Sequence, residues 1–190
     1  MQGPGSDLIR YEKNLCGPCN SAFTQPFDKA YEQFIAWVKA NQQDVLARRV
    51  IDFEAVFGSD WEKKQCDLFK FFAKCFGCRL HEAGRGVPLD VVALLSNDTF
   101  TTALYVTFLV NEDLRDVGVQ YVGTEPLLAH QERSTGDDFG FQCGHSFGWL
   151  TMMYWYRHRP LEPIGVRWVA DAKHLYLGWH RPLGLKKDMP

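Results

Sequence analysis

The residues best spaced for chemistry are Cys16 and Cys19, in the run Lys13-Asn14-Leu15-Cys16-Gly17-Pro18-Cys19-Asn20. A two-residue spacer lets the chain fold back and aim both sulfurs at one point, which suits two corners of a tetrahedral zinc site. Gly17-Pro18 favours the tight turn this requires. The same spacing also serves a redox pair or a disulfide, and two cysteines can lie close without acting together. A thioredoxin-like pair follows a buried strand in a βαβ unit, whereas only a short polar segment precedes Cys16. A second Cys-x-x-Cys comes at Cys75-Phe76-Gly77-Cys78, with His81 three residues further on. Cys16, Cys19, Cys75 and Cys78 together would close a four-cysteine zinc site. Taken separately, Cys75 reads as a buried helix residue and Cys78 as a small strand residue, since free cysteine is often buried.

Two further groupings have reactive or binding character. Cys143-Gly144-His145-Ser146 sets a thiol two residues from an imidazole. Alternate residues of a strand share a face, but a cysteine nucleophile needs its histidine placed across a pocket and oriented by a third group. No Asn or Asp is obviously tied to this pair. Near the C-terminus, Arg157, Arg159, Arg167 and Arg181 alternate with Trp155, Tyr156, Trp168 and Trp179. Such a set can stack on bases and pair with phosphates. It is equally the composition of a protein-binding surface, where Trp, Tyr and Arg are enriched.

Asn14-Leu15-Cys16-x-x-Cys19-Asn20, opening a helix, resembles the second half of the His-Asn-His (HNH) nuclease motif, over roughly residues 10 to 24. In that family a β-hairpin and a helix hold one catalytic metal, and many members add two Cys-x-x-Cys knuckles around a structural zinc. The resemblance implies that Asn14 is the central loop-steadying Asn, that Cys16 and Cys19 form the second knuckle, and that Asn20 is the helix ligand. The run Thr24-Gln25-Pro26-Phe27-Asp28-x-x-Tyr31 is similar to that of bacterial and phage proteins carrying such knuckles. Two parts of the family pattern are missing. The first histidine of the chain is His81, so no His precedes Cys16, and there is no upstream Cys-x-x-Cys. Without a general base nothing in the motif activates water for attack on a phosphodiester. His81, or a histidine upstream of the given sequence, would have to supply it.

Composition bounds what must position these groups. With 190 residues, 46% hydrophobic and 14% aromatic, the chain can build one sizeable core or two small ones. A net charge of -2 provides no global basic field to attract nucleic acid. No apolar run is long enough to span a membrane and no secretory signal is visible. Six cysteines without such a signal read as reduced, cytoplasmic thiols.

After a knuckle segment over residues 1–23, residues 24–96 read as helical. Phe27, Ala30, Tyr31, Phe34, Ile35 and Val38 recur at helical spacing behind Pro26. A short helix is expected from Asp44 to Val50, and one turn capped by Asp52 and stopped by Gly58. A helix is then expected from a Ser59–Glu62 capping box through Phe72 to a stop at Gly77. Pro88 to Leu95 reads as a further short helix. From residue 97 the pattern turns strand-like: Thr101 to Val110, Val117 to Val122, Phe139 to Cys143, Phe147 to Tyr156, Val166 to Ala170 and His174 to Trp179. The class is therefore α+β, with the knuckle and helices packed on a C-terminal antiparallel sheet, residues 97–190, in one compact unit.

Three function classes fit. One is a catalytically incomplete HNH relative that binds protein or nucleic acid in the phage–bacterial defence sphere, with a host protein or nucleic-acid-processing complex as partner. Another is an active endonuclease using magnesium or manganese. The third is a zinc-stapled structural protein. All three allow zinc on Cys16 and Cys19. Protein purified without added metal is therefore expected to contain about one zinc per chain by elemental analysis. Metal-free protein whose two thiols alkylate freely in the native state would rule the site out.

Overall fold

The computed structural model describes residues 23–96, 101–115, 122–157 and 165–180. The predicted knuckle segment and most of the Val117 to Val122 strand lie outside them. Helix α1 spans Gln25–Ala40, with Pro26 in its first turn and Phe27, Ala30, Phe34, Ile35 and Val38 buried along one face. Helix α2 spans Gln42–Arg48 and is stopped by Arg49 in the left-handed region (φ 54°). It gives way at once to a three-residue strand, β1 (Val50–Asp52), so the helix predicted to reach Val50 ends two residues earlier. Asp52 then caps α3 (Phe53–Phe57), its carboxylate accepting the Glu54 N–H at 2.9 Å, and Gly58 (φ 71°) ends it, both as predicted.

Helix α4 departs most from its predicted limits. It spans Trp61–Glu82, begins from Asp60 without a side-chain cap, and runs straight through Gly77. Neither the Ser59–Glu62 box nor the glycine stop operates. A Cβ at Gly77 would meet the two methyls of Val87, at 3.5 and 4.0 Å, so the position is a seat for the returning loop, not a left-handed stop. Helix α5 covers Leu89–Ser96.

Strands β2 (Leu104–Asn111), β3 (Val122–Gln131), β4 (Asp138–Phe147), β5 (Leu150–Tyr156) and β6 (His174–His180) join β1 in a six-stranded sheet of order β1-β6-β2-β5-β4-β3. The α+β class holds, but the sheet is mixed: β6 runs parallel to β2, with Phe108 opposite Leu177, and antiparallel to β1. Nor is the sheet wholly C-terminal, because β1 comes from within the helical part. Residues Val166 to Ala170 contribute only a single bridge, Trp168 to Val106. Strand β3 forms the outer edge and carries Pro126 and two register shifts, features that blunt an edge against further pairing.

One face of the sheet carries Leu104, Val106, Phe108 and Val110 of β2 and Leu150, Met152, Tyr154 and Tyr156 of β5, and packs under α1 and α4. Phe72 of α4 sits at the centre. Its ring centroid lies 5.6 Å from that of Phe108, 5.9 Å from Tyr154 and 6.1 Å from Trp168. The opposite face has a smaller cluster of Leu109, Met153, Trp155 and Tyr105. Gly165 lies flat against it; a Cβ there would meet Leu109 Cδ2 at 3.0 Å and Thr107 Cβ at 3.1 Å.

Phe34 and Phe72 are fully buried, as their spacing predicts. Replacing Phe72 with Ala is expected to lower stability by about 3–5 kcal/mol in denaturant unfolding, the range for removing an aromatic ring from a packed interior. A loss under about 1 kcal/mol would mean that α4 does not pack through this ring.

Candidate functional site

One open feature of the described surface is a cleft of about 760 Å³ between the start of α5, the segment leading into β2, and the β4 and β5 ends facing them. Asp90, in the first turn of α5, is its polar anchor. The Thr102 hydroxyl and Ala103 N–H donate to Asp90 Oδ2 at 2.9 and 3.0 Å, and the Tyr156 hydroxyl donates to Oδ1 at 2.9 Å. Burial alone would raise this carboxyl's pKa, but the donors outweigh it and hold Asp90 below the ordinary carboxylate range. Burial, and then the neighbouring Asp90, push the Tyr156 hydroxyl up to about 12. Tyr156 is thus a firm donor at neutral pH and not a proton-transfer group.

Beyond Tyr156 the chain turns at Arg157, a non-glycine residue at φ 53°. That conformation is uncommon for a long side chain and marks a position fixed by its surroundings. The Arg157 N–H reaches Ala103 O at 3.4 Å, and its guanidinium lies 5.4 Å from the Tyr156 ring centroid. Across the cleft, Asp138 is paired with Arg85 at 2.6 Å and accepts from Gln131 Nε2 at 3.0 Å. The lips are apolar and unusually open: Leu89 is 84% exposed and Phe139 45%.

The other predicted groups are arranged differently. Asn14, Cys16, Cys19, Asn20 and Arg159 lie outside the described residues. Cys75 and Cys78 are buried three residues apart on continuous helix, not in a knuckle turn. Burial raises the Cys78 pKa, with Lys74 opposing and Glu82 adding to the shift. His81 is exposed on the last turn of α4. Among the described residues no three His, Cys, Asp or Glu side chains converge as a metal site requires. The aromatic binding stripe does not form as predicted. Trp168 is buried among Phe53, Phe69, Phe72 and Phe108. Trp155 is buried on the opposite face, its indole N–H donating to Thr107 Oγ1 at 2.9 Å. Strand β5, which holds Trp155, is buried on both faces, and Trp168 sits in a bridging segment turned into the core, so neither ring faces outward. Of the three predicted binding residues among those described, Arg157 alone is placed at the surface.

Cys143 and His145 share the helix-facing side of β4, but they form no catalytic pair. Burial raises the Cys143 thiol to about 12, with Arg79 pulling the other way. The same cause lowers His145 to about 4, with Arg79 adding to the shift. A thiolate mechanism needs the reverse of both. The two imidazole nitrogens are already engaged: Nε2 with the Tyr31 hydroxyl of α1 at 3.2 Å and Nδ1 with the Tyr154 hydroxyl of β5 at 2.5 Å. A neutral ring satisfies this bridge, with one nitrogen donating and the other accepting.

No known family, curated protein or solved structure matches this chain.

The histidine bridge has a pH signature. Unfolded His145 takes up a proton near pH 6.5, while the folded state resists until about pH 4. The stability this neutral ring contributes is therefore present above pH 6.5 and lost as pH falls from 6.5 towards 4. Some solvent contact remains at His145, so the shift is worth roughly 2–3 kcal/mol. His145→Gln should flatten that part of the stability–pH curve relative to the parent chain, measured by urea unfolding. Parallel curves for the two proteins would contradict the assignment.

Proposed function

We propose that this chain is a catalytically incomplete relative of the HNH nucleases that works as a binding protein, with a protein of a host defence or nucleic-acid-processing complex as its partner. The defence setting rests on the resemblance of Asn14 to Asn20 to the nuclease motif. The binding role rests on one contrast within the fold. The thiol and imidazole that offer nucleophilic chemistry are enclosed and held in unreactive protonation states, while an open cleft with apolar lips and a fixed cation faces solvent. A net charge of -2 favours a protein partner over a nucleic acid as the main ligand. Zinc on Cys16 and Cys19 belongs to this reading as a structural staple.

Hydrolysis of a phosphodiester needs a metal to stabilise the leaving oxygen and a base to generate the nucleophile. Asn20 is a weak neutral ligand, and no His precedes it. The purified chain is expected to leave supercoiled plasmid intact with magnesium or manganese, over times in which an active nuclease converts it fully. Metal-dependent cleavage that His81→Ala or Asn20→Ala abolishes would make this protein an enzyme and overturn the proposal.

A further inference from the structure

Three charged groups line the cleft, and they are not equivalent. Asp90 accepts from three donors, and Asp138 is held by Arg85 and Gln131. Arg157 has no carboxylate partner among the described residues. Its guanidinium lies 5.4 Å from the Tyr156 ring centroid, on a residue that is exposed to solvent. A planar guanidinium can take a carboxylate through two parallel N–H donors. The flanking surface specifies what accompanies the charge. Leu89 stands 84% exposed at the start of α5 and lines the cleft, Val92 three residues on is 48% exposed, and Phe139 of β4, also lining the cleft, is 45% exposed. Residues three apart on a helix share a side, so Leu89 and Val92 form a continuous apolar lip. Large apolar side chains grouped in this way beside a cavity mark an interaction site more often than chance exposure.

We propose that this cleft docks a protein segment that presents a carboxylate beside a large apolar side chain, with Arg157 taking the carboxylate and Leu89, Val92 and Phe139 gripping the apolar group. The proposal rests on the reading of the chain as a binding protein and names the chemistry of its partner. A nucleic acid fits less well. Asp90 and Asp138 both line the cleft and would repel a polyanion, whereas a single carboxylate can be met by Arg157, which has no carboxylate partner among the described residues. The apolar lip would also have no partner along a phosphate backbone.

The test uses the full chain and small probes, followed by amide chemical shifts in NMR titrations. N-acetyl-phenylalanine carries both the carboxylate and the apolar group. N-acetyl-phenylalaninamide lacks the charge, and N-acetylglycine lacks the apolar group. The acid should saturate with a Kd on the order of 1 mM, as befits a ligand of this size. It should move the amides of Ala103, Phe139 and Arg157, and both controls should bind at least about tenfold more weakly. Arg157→Asn removes the charge while keeping a residue that tolerates positive φ, and Leu89→Ser alters a residue with little packing to lose. Each should weaken the acid about tenfold. Equal binding of the acid and its amide, shifts confined to other surfaces, or tighter binding of oligothymidylate in the same cleft would overturn the proposal. A positive nuclease assay would remove the functional reading and leave this titration intact. Absent probe binding without cleavage would remove the docking site and leave the functional reading standing.

Discussion

The contact on which the described fold depends is that of Phe72 with the sheet. Its ring meets Phe108 of β2, Tyr154 of β5 and Trp168 of the bridging segment, so one side chain of α4 fixes the height and rotation of the helix over three parts of the sheet. One turn on, Phe76 stacks on Tyr156, with ring centroids 5.9 Å apart. Tyr156 is therefore a core ring along most of its length and the donor to Asp90 at its tip. The cleft is thus an extension of the core. The packing that orders α4 also sets where the Tyr156 hydroxyl lies, and through it Asp90 and Arg157. Burying an aromatic body while its polar end reaches a partner is the usual way such a ring links an interior to a surface site.

The same economy governs the interior polar groups. His145 bridges α1 to β5 through two tyrosine hydroxyls, and Arg79 of α4 donates to Glu125 O of β3 at 2.9 Å. Arg49 lies 3.2 Å from the Trp179 ring and pairs with Glu112 at 2.9 Å, joining the end of α2 to the far ends of β6 and β2. These contacts cross between layers, where a neutral or paired group stabilises the docking geometry and an unpaired one would oppose it. Chemistry that looks reactive in one dimension is thereby spent on architecture. Cys143 and His145 are the clearest case, since each is pushed away from the state a nucleophile–base pair needs.

How much of this was legible depended on whether the signal was local. Helix α1, the Asp52 cap and the Gly58 stop were readable because spacing and a single cap residue decide them. Helix α4 was cut short because glycine in sequence resembles a stop; only the fold shows that Val87 closes over Gly77. Strand β1 is too short to have a period and is held by β6, more than a hundred residues away. Most of β3 lies beyond the predicted Val117 to Val122 strand, because Gly123 and Pro126 interrupt a strand pattern in sequence, although both are tolerated on an edge. The parallel β2–β6 pairing has no local signature at all. At the site, Arg157 was singled out for its composition, but Leu89 and Asp90 of α5 and Phe139 of β4 come from two separate segments that only the fold brings together. Trp155 and Trp168 were misplaced for the opposite reason: an Arg- and Trp-rich stretch resembles a surface, and nothing in it reveals that both faces of the sheet are covered.

The position of β6 has a consequence for how the chain is made. It lies between β1 and β2, pairing antiparallel with residues 50–52 and parallel with residues 108–111. A ribosome delivers those two partners long before it delivers residues 174–180. Until then β1 has no strand to pair with, and the C-terminal half of β2 keeps an unpaired edge beside an apolar face. The long-range closure that completes the sheet must come last, and such pairings are slow to form. During that interval the nascent chain offers a sticky edge of the kind that chaperones cover and that other chains join.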